Sequence, residues 1–270
     1  MKWLQATRPD PRRVTAPGVG VWVWAGMLCG AVAALVAGAP AHWLAPWVEA
    51  ASDGRLRLLQ ARGSVWEGSA RWQLTAGPGS QDAAELPDRL AWRLRTGWSG
   101  LSVELSSPCC TPQPVRLWMS PRWTGFQVRF QDSLSLWPAE LLAGWGTPWN
   151  TVRLQGSLRL QTQALNLSWT SGRLQVSGRA EVEATDLSSR LSTLRPMGSY
   201  RLVVQGGDVP TLSLQTLDGA LQLAGQGQWV GRRLQFSGVA SAAPERQEAL
   251  GNLLNILGRR DGARTLISLG

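Results

Sequence analysis

Residues 152–182 read VRLQGSLRLQTQALNLSWTSGRLQVSGRAEV, and their spacing decides the fold. Leu154, Leu158 and Leu160, then Leu165, Leu167 and Trp169, then Leu174, Val176, Ala180 and Val182 recur at every second position or a multiple of it. Arg153, Gln155, Arg159, Asn166, Ser168, Gln175, Arg179 and Glu181 fill the opposite face. A period of two puts successive side chains on opposite faces of a strand, so one face is apolar and the other polar. The block predicts three consecutive strands, with Thr170-Ser171-Gly172 as a tight turn. Short connections favour antiparallel neighbours, because a parallel return needs a crossover of a dozen or more residues.

The same period extends in both directions. Leu90, Trp92 and Leu94 alternate with Arg89, Arg93 and Arg95, and Leu101, Val103 and Leu105 with Ser102, Glu104 and Ser106. Val115, Leu117 and Met119, then Phe126, Val128 and Phe130, repeat it around a turn expected at Pro121-Arg122. Tyr200, Leu202 and Val204, then Leu212 and Leu214, Leu221 and Leu223, and Leu234, Phe236 and Ala240 continue the meander to about ten or more strands.

Helices are expected to be few. Pro138 to Trp145 is a short candidate, and Asp186 is placed to cap a turn through Leu187, Leu191 and Leu194 before Pro196. The strongest is 244–257, with Pro244 at its start, Glu245 and Glu248 at the positive end of the dipole and Gly258 as the stop. Leu250, Leu253, Leu254 and Leu257 form its apolar stripe, which reads as packing over the end of a sheet.

The segment 19–39, VGVWVWAGMLCGAVAALVAGA, carries no charge. At about 1.5 Å per residue it reaches about 30 Å, one hydrocarbon thickness. Val21, Trp22, Val23, Trp24, Met27, Leu28, Val32, Leu35 and Val36 are its expected membrane-anchoring side chains, and Trp43 and Trp47, beyond Pro40, suit the interface. Lys2, Arg8, Arg12 and Arg13 against the single Asp10 orient such a span with the N-terminus in the cytoplasm. The expected organisation is a basic cytoplasmic tail over 1–18, a transmembrane helix over 19–40 and a periplasmic β-rich domain over 41–270. The competing reading is a cleaved signal peptide, cut at Ala37-Gly38-Ala39 or Ala39-Pro40-Ala41. The apolar run exceeds the usual h-region, which favours a retained anchor in the inner membrane of a Gram-negative envelope.

Charge excludes little. The formal charge is +9, with Lys2 the only lysine, and from His42 onward 23 arginines against 17 acidic residues leave +6. The arginines are scattered over polar strand faces instead of clustering with stacking aromatics, so no nucleic-acid site is expected. Cys109 and Cys110 are adjacent in a loop, Ser107 to Pro112, and the short spacing of neighbouring Cα atoms argues against a bond between them.

Catalytic chemistry has no foothold in the sequence. His42 is the only histidine, so neither a nucleophile with a histidine base nor a zinc hydrolase site can be assembled in the exported part. Gly225, Gly227 and Gly231 sit around strands without a following Lys and Ser or Thr, so no phosphate loop is present. Glu181 and Glu183 share a polar strand face and give no positive sign of an acid/base pair. The expectation is a protein that is not an enzyme, with no catalytic residue, no cofactor and no metal. An outer-membrane barrel would share the alternation. The apolar helix and the C-terminal residues Leu266-Ile267-Ser268-Leu269-Gly270, which lack a terminal aromatic, argue against one.

Several stretches resemble the type II secretion system protein N family, also called general secretion pathway protein N. They are ARGSVWEGSA at 61–70, LRPMGSYRL at 194–202, DGAL at 218–221, GQW at 227–229, APE at 243–245 and LLNILGRRDGAR at 253–264. The resemblance implies an inner-membrane component of the machine that exports folded proteins from the periplasm across the outer membrane, with other secretion subunits as partners. That family is itself similar to AsmA-like envelope proteins, which implies a curved, largely antiparallel sheet with one greasy face and, as a second expectation, lipid contact.

Overall fold

The apolar positions change parity between Leu160 and Leu165, and the structure absorbs that change inside one strand. The computed structural model describes residues 19–270 except 172 and 232. Where three strands were expected there are two of 17 residues each, β9 (Leu154–Thr170) and β10 (Arg173–Ser189), by the chain-order numbering used below. Ser177 pairs with Asn166 but Arg179 with Gln163, so Ala164 and Leu165 together stand opposite Gly178. This β-bulge inserts one residue and moves the leucines from even to odd numbers without turning them off the apolar face. Ala164 and Gly178 both take positive φ there, 47° and 87°. A second bulge sets Asp186 and Leu187 against Gly156. Asp186, expected to cap a helix, lies in that bulge at φ 53° inside β10.

Around this pair the described residues form one antiparallel sheet of 16 strands. The N-terminal side comprises β1 (Leu56–Gly63), β2 (Glu67–Thr75), β3 (Ala83–Glu85), β4 (Leu90–Gly97), β5 (Gly100–Ser106), β6 (Val115–Arg122), β7 (Gly125–Phe130) and β8 (Ser133–Pro138). The C-terminal side comprises β11 (Gly198–Gln205), β12 (Thr211–Gly219), β13 (Leu221–Val230), β14 (Arg233–Ala242), β15 (Arg259–Asp261) and β16 (Arg264–Leu269). The spatial order is β1-β2-β4-β5-β6-β7-β9-β10-β11-β12-β13-β14-β16-β15, with β3 on β2 and β8 on β9. The path has two ends, so the sheet is open. The turn expected at Pro121-Arg122 falls just after it, at Trp123-Thr124, because Pro121 still pairs with Phe126.

Three apolar clusters sit on this sheet. The largest joins Leu154, Leu187, Met197, Tyr200, Leu221 and Ala240 to the helix Gln247–Leu257, whose Leu250, Leu253 and Leu254 are all buried. Each leucine so buried contributes about 2 kcal/mol. The helix starts at Gln247 after a 3-10 turn over Pro244–Arg246, slightly later than expected, and Gly258 ends it in an extended conformation. A second cluster sets Leu44, Ala45 and Val48 of the helix Leu44–Ala51 against Leu58, Ala70 and Trp92. The third gathers Leu86, Leu90, Cys110 and Leu141, the last from the 3-10 turn Ala139–Trp145 that fulfils the short-helix expectation.

Cys109 and Cys110 form a disulfide, contrary to expectation, with Cα atoms 3.7 Å apart. Neighbouring side chains point apart in an extended strand. Here the chain turns, Cys110 and Thr111 both donating their N–H groups to the Ser107 carbonyl at 3.1 and 3.0 Å.

The chain divides into two units, one ending at Ala39 and the other running from Pro40 to Gly270. The described part of the first is the helix Val19–Ala37, which carries no charge, followed by Gly38 and Ala39. Nineteen residues rise about 28 Å, against about 30 Å of hydrocarbon. Among the described residues no helix is long and apolar enough to cross a membrane. The tail 1–18 with Lys2, Arg8, Arg12 and Arg13, the side chain of Val21 and the turn residue Gly172 lie outside the described residues.

Candidate functional site

The candidate functional surface is the sheet itself, whose two faces differ in chemistry. Strand register turns the alternation into continuous apolar rows. One runs Leu94, Val103, Leu117 and Phe130, and another Leu101, Met119, Val128, Leu167 and Val176. A third crosses the C-terminal half through Leu160, Val182, Leu202, Leu214, Gly225, Gly238 and Ile267. Helices pack near the sheet's two ends, whereas Val103, Leu117, Val128, Leu167, Val176, Val182, Leu202 and Leu214 in the middle are only half-buried. Phe126 and Trp169 stack with ring centres 6.4 Å apart.

The polar face is a lattice of paired charges. Arg179 meets Glu181 at 2.6 Å, Arg201 meets Glu181 at 2.8 Å and Glu183 at 2.6 Å. Toward β1, Arg93 pairs with Glu67 at 2.7 Å and Arg116 with Glu104 at 3.0 Å. The Arg93 guanidinium, by hydrogen bond and charge, holds the Glu67 carboxyl below its ordinary range. Glu181 and Glu183 are thus engaged by arginines across the strands, as a solvated face requires.

Two of the family-like regions are held by close backbone approach. Within 61–70, Trp92 donates its indole N–H to the Val65 carbonyl at 3.0 Å, and a Cβ on Gly68 would stand 2.7 Å from the Arg62 carbonyl and from the Trp92 ring. The 194–202 and 218–221 stretches close on each other. Leu221 N–H bonds the Met197 carbonyl at 3.1 Å, and the Tyr200 hydroxyl donates to the Leu221 carbonyl at 3.0 Å. Burial pushes the Tyr200 phenol's pKa up.

A mixed-charge cleft of about 500 Å3 lies beside the 3-10 turn Ala139–Trp145, lined in part by Asp82, Glu85, Glu140, Arg153 and Arg190, where Asn150 donates to Asp82 at 2.7 Å. Among the described residues no three His, Cys, Asp or Glu gather as a metal site would need. The expected anchor residues Trp22, Val23, Trp24, Met27, Leu28, Val32, Leu35 and Val36 are all exposed on the helix Val19–Ala37. Trp43 and Trp47 are exposed on the second unit, in the 3-10 turn Ala41–Trp43 and the helix that follows.

Sequence reasoning missed Trp98 and Trp123, which stand fully exposed at hairpin tips. The signal was present, since each indole sits within two residues of a glycine between two alternating runs, Gly97-Trp98-Ser99-Gly100 and Trp123-Thr124-Gly125.

No curated protein and no solved structure matches the chain. The family model described as "Type II secretion system (T2SS), protein N" matches residues 54–266, from the start of β1 into β16. With the match spanning nearly the whole sheet, the chain belongs to the type II secretion system protein N family.

Proposed function

We propose that this protein is an accessory, non-enzymatic subunit of the type II secretion machine, anchored in the inner membrane by residues 19–40, with 1–18 in the cytoplasm and 41–270 in the periplasm. The observation that carries the reading is the family match over 54–266. The anchor rests on a charge-free helix whose described large apolar side chains face outward all round, as a lipid-facing helix must. A shortfall of an ångström or two against the hydrocarbon is absorbed by local bilayer thinning. Binding to other secretion subunits uses an open sheet's unpaired edges, which offer a row of backbone donors and acceptors. Arg57 and Arg62 on β1, and Arg259, Arg260 and Asp261 on β15, restrict that pairing to complementary partners.

Photocrosslinkers placed along 62–69 and 264–269 in cells with an intact machine test this. Adducts with secretion subunits are expected. Unchanged secretion after gene deletion, together with no subunit adduct, would overturn it.

A second reading is favoured by one observation, the half-buried apolar rows in mid-sheet. A face of that kind accommodates acyl chains, which makes lipid handling the alternative role. Native mass spectrometry separates the two: reproducible lipid adducts favour the second reading, and a bare mass with copurifying subunits the first.

A further inference from the structure

Three adjacent hairpins project from one end of the sheet, and their tips share an unusual chemistry. They are the turns β4–β5, β6–β7 and β9–β10. Register levels them. From the Leu101–Met119 pair, three residues lead to Trp98 and four to Trp123, and the Ser171 N–H bonds the Thr124 carbonyl at 3.1 Å. The flanking turns stop short. β2 pairs Glu67 with Arg93 while β4 runs on to Gly97, and Gly207 N–H bonds Val176 while β10 continues back to Arg173. Six strands about 4.8 Å apart make this a promontory about 25 Å wide.

Trp98 and Trp123 are fully exposed on it, and Leu174 and Phe126 are about half exposed. Residues 95–102, 119–129 and 166–176 hold Arg95, Arg122, Arg129 and Arg173 and no Asp or Glu. Arg122 donates to the neutral amide of Gln127, so its charge is not cancelled, and the nearby Glu67 is held by Arg93. Arg93, Arg116, Arg179 and Arg201 each pair with a carboxylate; these turns hold arginines and exposed indoles without one. Indoles with a wet N–H beside guanidinium groups suit the headgroup layer of a bilayer with anionic lipid. Pro40, where the unit's chain begins, is bridged to Ser64 in the β1–β2 turn, at this same end of the strands.

We infer that the Trp98–Trp123–Arg173 rim docks on an anionic phospholipid surface, that of the bilayer from which the chain enters the second unit. The rim's chemistry stands apart from the secretion role, but the choice of bilayer rests on the anchoring reading.

The test is hydrogen exchange on the full chain in nanodiscs of phosphatidylcholine alone and of phosphatidylcholine with roughly a third phosphatidylglycerol. Amides at 96–100, 122–125 and 170–174 are expected to exchange at least about fivefold more slowly in the anionic disc. The R122Q/R173Q and W98S/W123S variants are expected to remove that slowing while the helix 247–257 keeps its protection, which reports an intact fold. Equal tip exchange in both discs, slowing that survives both variants, or slowing that appears only when other secretion subunits are added would overturn the proposal. Protection of 19–37 without protection of the tips defeats the rim alone; free exchange of 19–37 defeats the anchor.

Discussion

The hydroxyl of Tyr200 on β11 reaches past the intervening strand β12 to donate to the carbonyl of Leu221 on β13, 3.0 Å away. That bond ties together two stretches that carried the family resemblance, and it lies under the C-terminal helix in the largest core cluster. Tyr200→Phe removes the donor and leaves a buried carbonyl short of a partner, at a cost of about 1–2 kcal/mol. Denaturant unfolding of the full chain checks this as a lower midpoint with an unchanged slope.

The same residue gives a pH prediction. Burial raises the phenol's pKa, so the folded chain keeps a proton that the unfolded chain releases near pH 10. Stability from this group is complete below about pH 10 and declines as pH rises beyond it. Tyr200 is the only tyrosine, so phenolate absorbance reports it alone. Native protein is expected to titrate later than urea-unfolded protein, and coincident curves would mean that the Tyr200 phenol is not shifted by burial.

Gly219 stands at φ 123°, and a Cβ there would lie 2.2 Å from the Gly198 Cα. The left-handed backbone and the backbone contact act together, so Gly219→Ala is expected to destabilise by about 2–3 kcal/mol. Gly207 has nothing within 4 Å of its notional Cβ. Gly207→Ala is therefore the control, with an expected change within about 0.5 kcal/mol. Paired thermal melts decide it.

Much of this architecture was legible in the alternation, because a half-buried strand must repeat every second residue. The parity change between Leu160 and Leu165 was visible too, but sequence alone cannot separate a turn from a bulge. Ala164 is neither Gly nor Pro, yet it takes the positive φ that the bulge needs. The strands β1 and β2 were less legible because ARGSVWEGSA, which ends β1 and opens β2, bears two glycines and no clear alternation, and its turn is bonded at Val65 by Trp92 on another strand. The exposed rim was hidden for a different reason. Trp98 and Trp123 fall in turns, and only strand register reveals that their turns lie level with each other.

Arg201 bridges Glu181 and Glu183 across the β10–β11 pair, with a third of its side chain still open to water. Solvent screening limits what such pairs contribute. A double-mutant cycle of Glu183→Gln and Arg201→Gln is expected to give a coupling in the weak range of exposed ion pairs, and one that shrinks in high salt. Coupling well above that range would mean the pair is more desolvated than its exposure indicates.

Leu253 and Ile256 lie three residues apart on the C-terminal helix and face opposite environments. Leu253 is 2% exposed against Leu250, Leu254 and the ends of β14 and β16, whereas Ile256 is 42% exposed. Leu253→Ala removes buried methyl groups and leaves a cavity that the sheet end cannot close, which costs about 2–5 kcal/mol. Ile256→Ala removes contacts mostly with water and is expected to cost well under 1 kcal/mol. Because this helix covers one strand end and the Trp98–Trp123 tips occupy the other, hydrogen exchange in Leu253→Ala should rise in 247–257 and 264–269 while 96–100 and 122–125 stay unchanged. A uniform rise would mean that the two ends share one cooperative unit, and the helix would then support the whole sheet instead of its own corner.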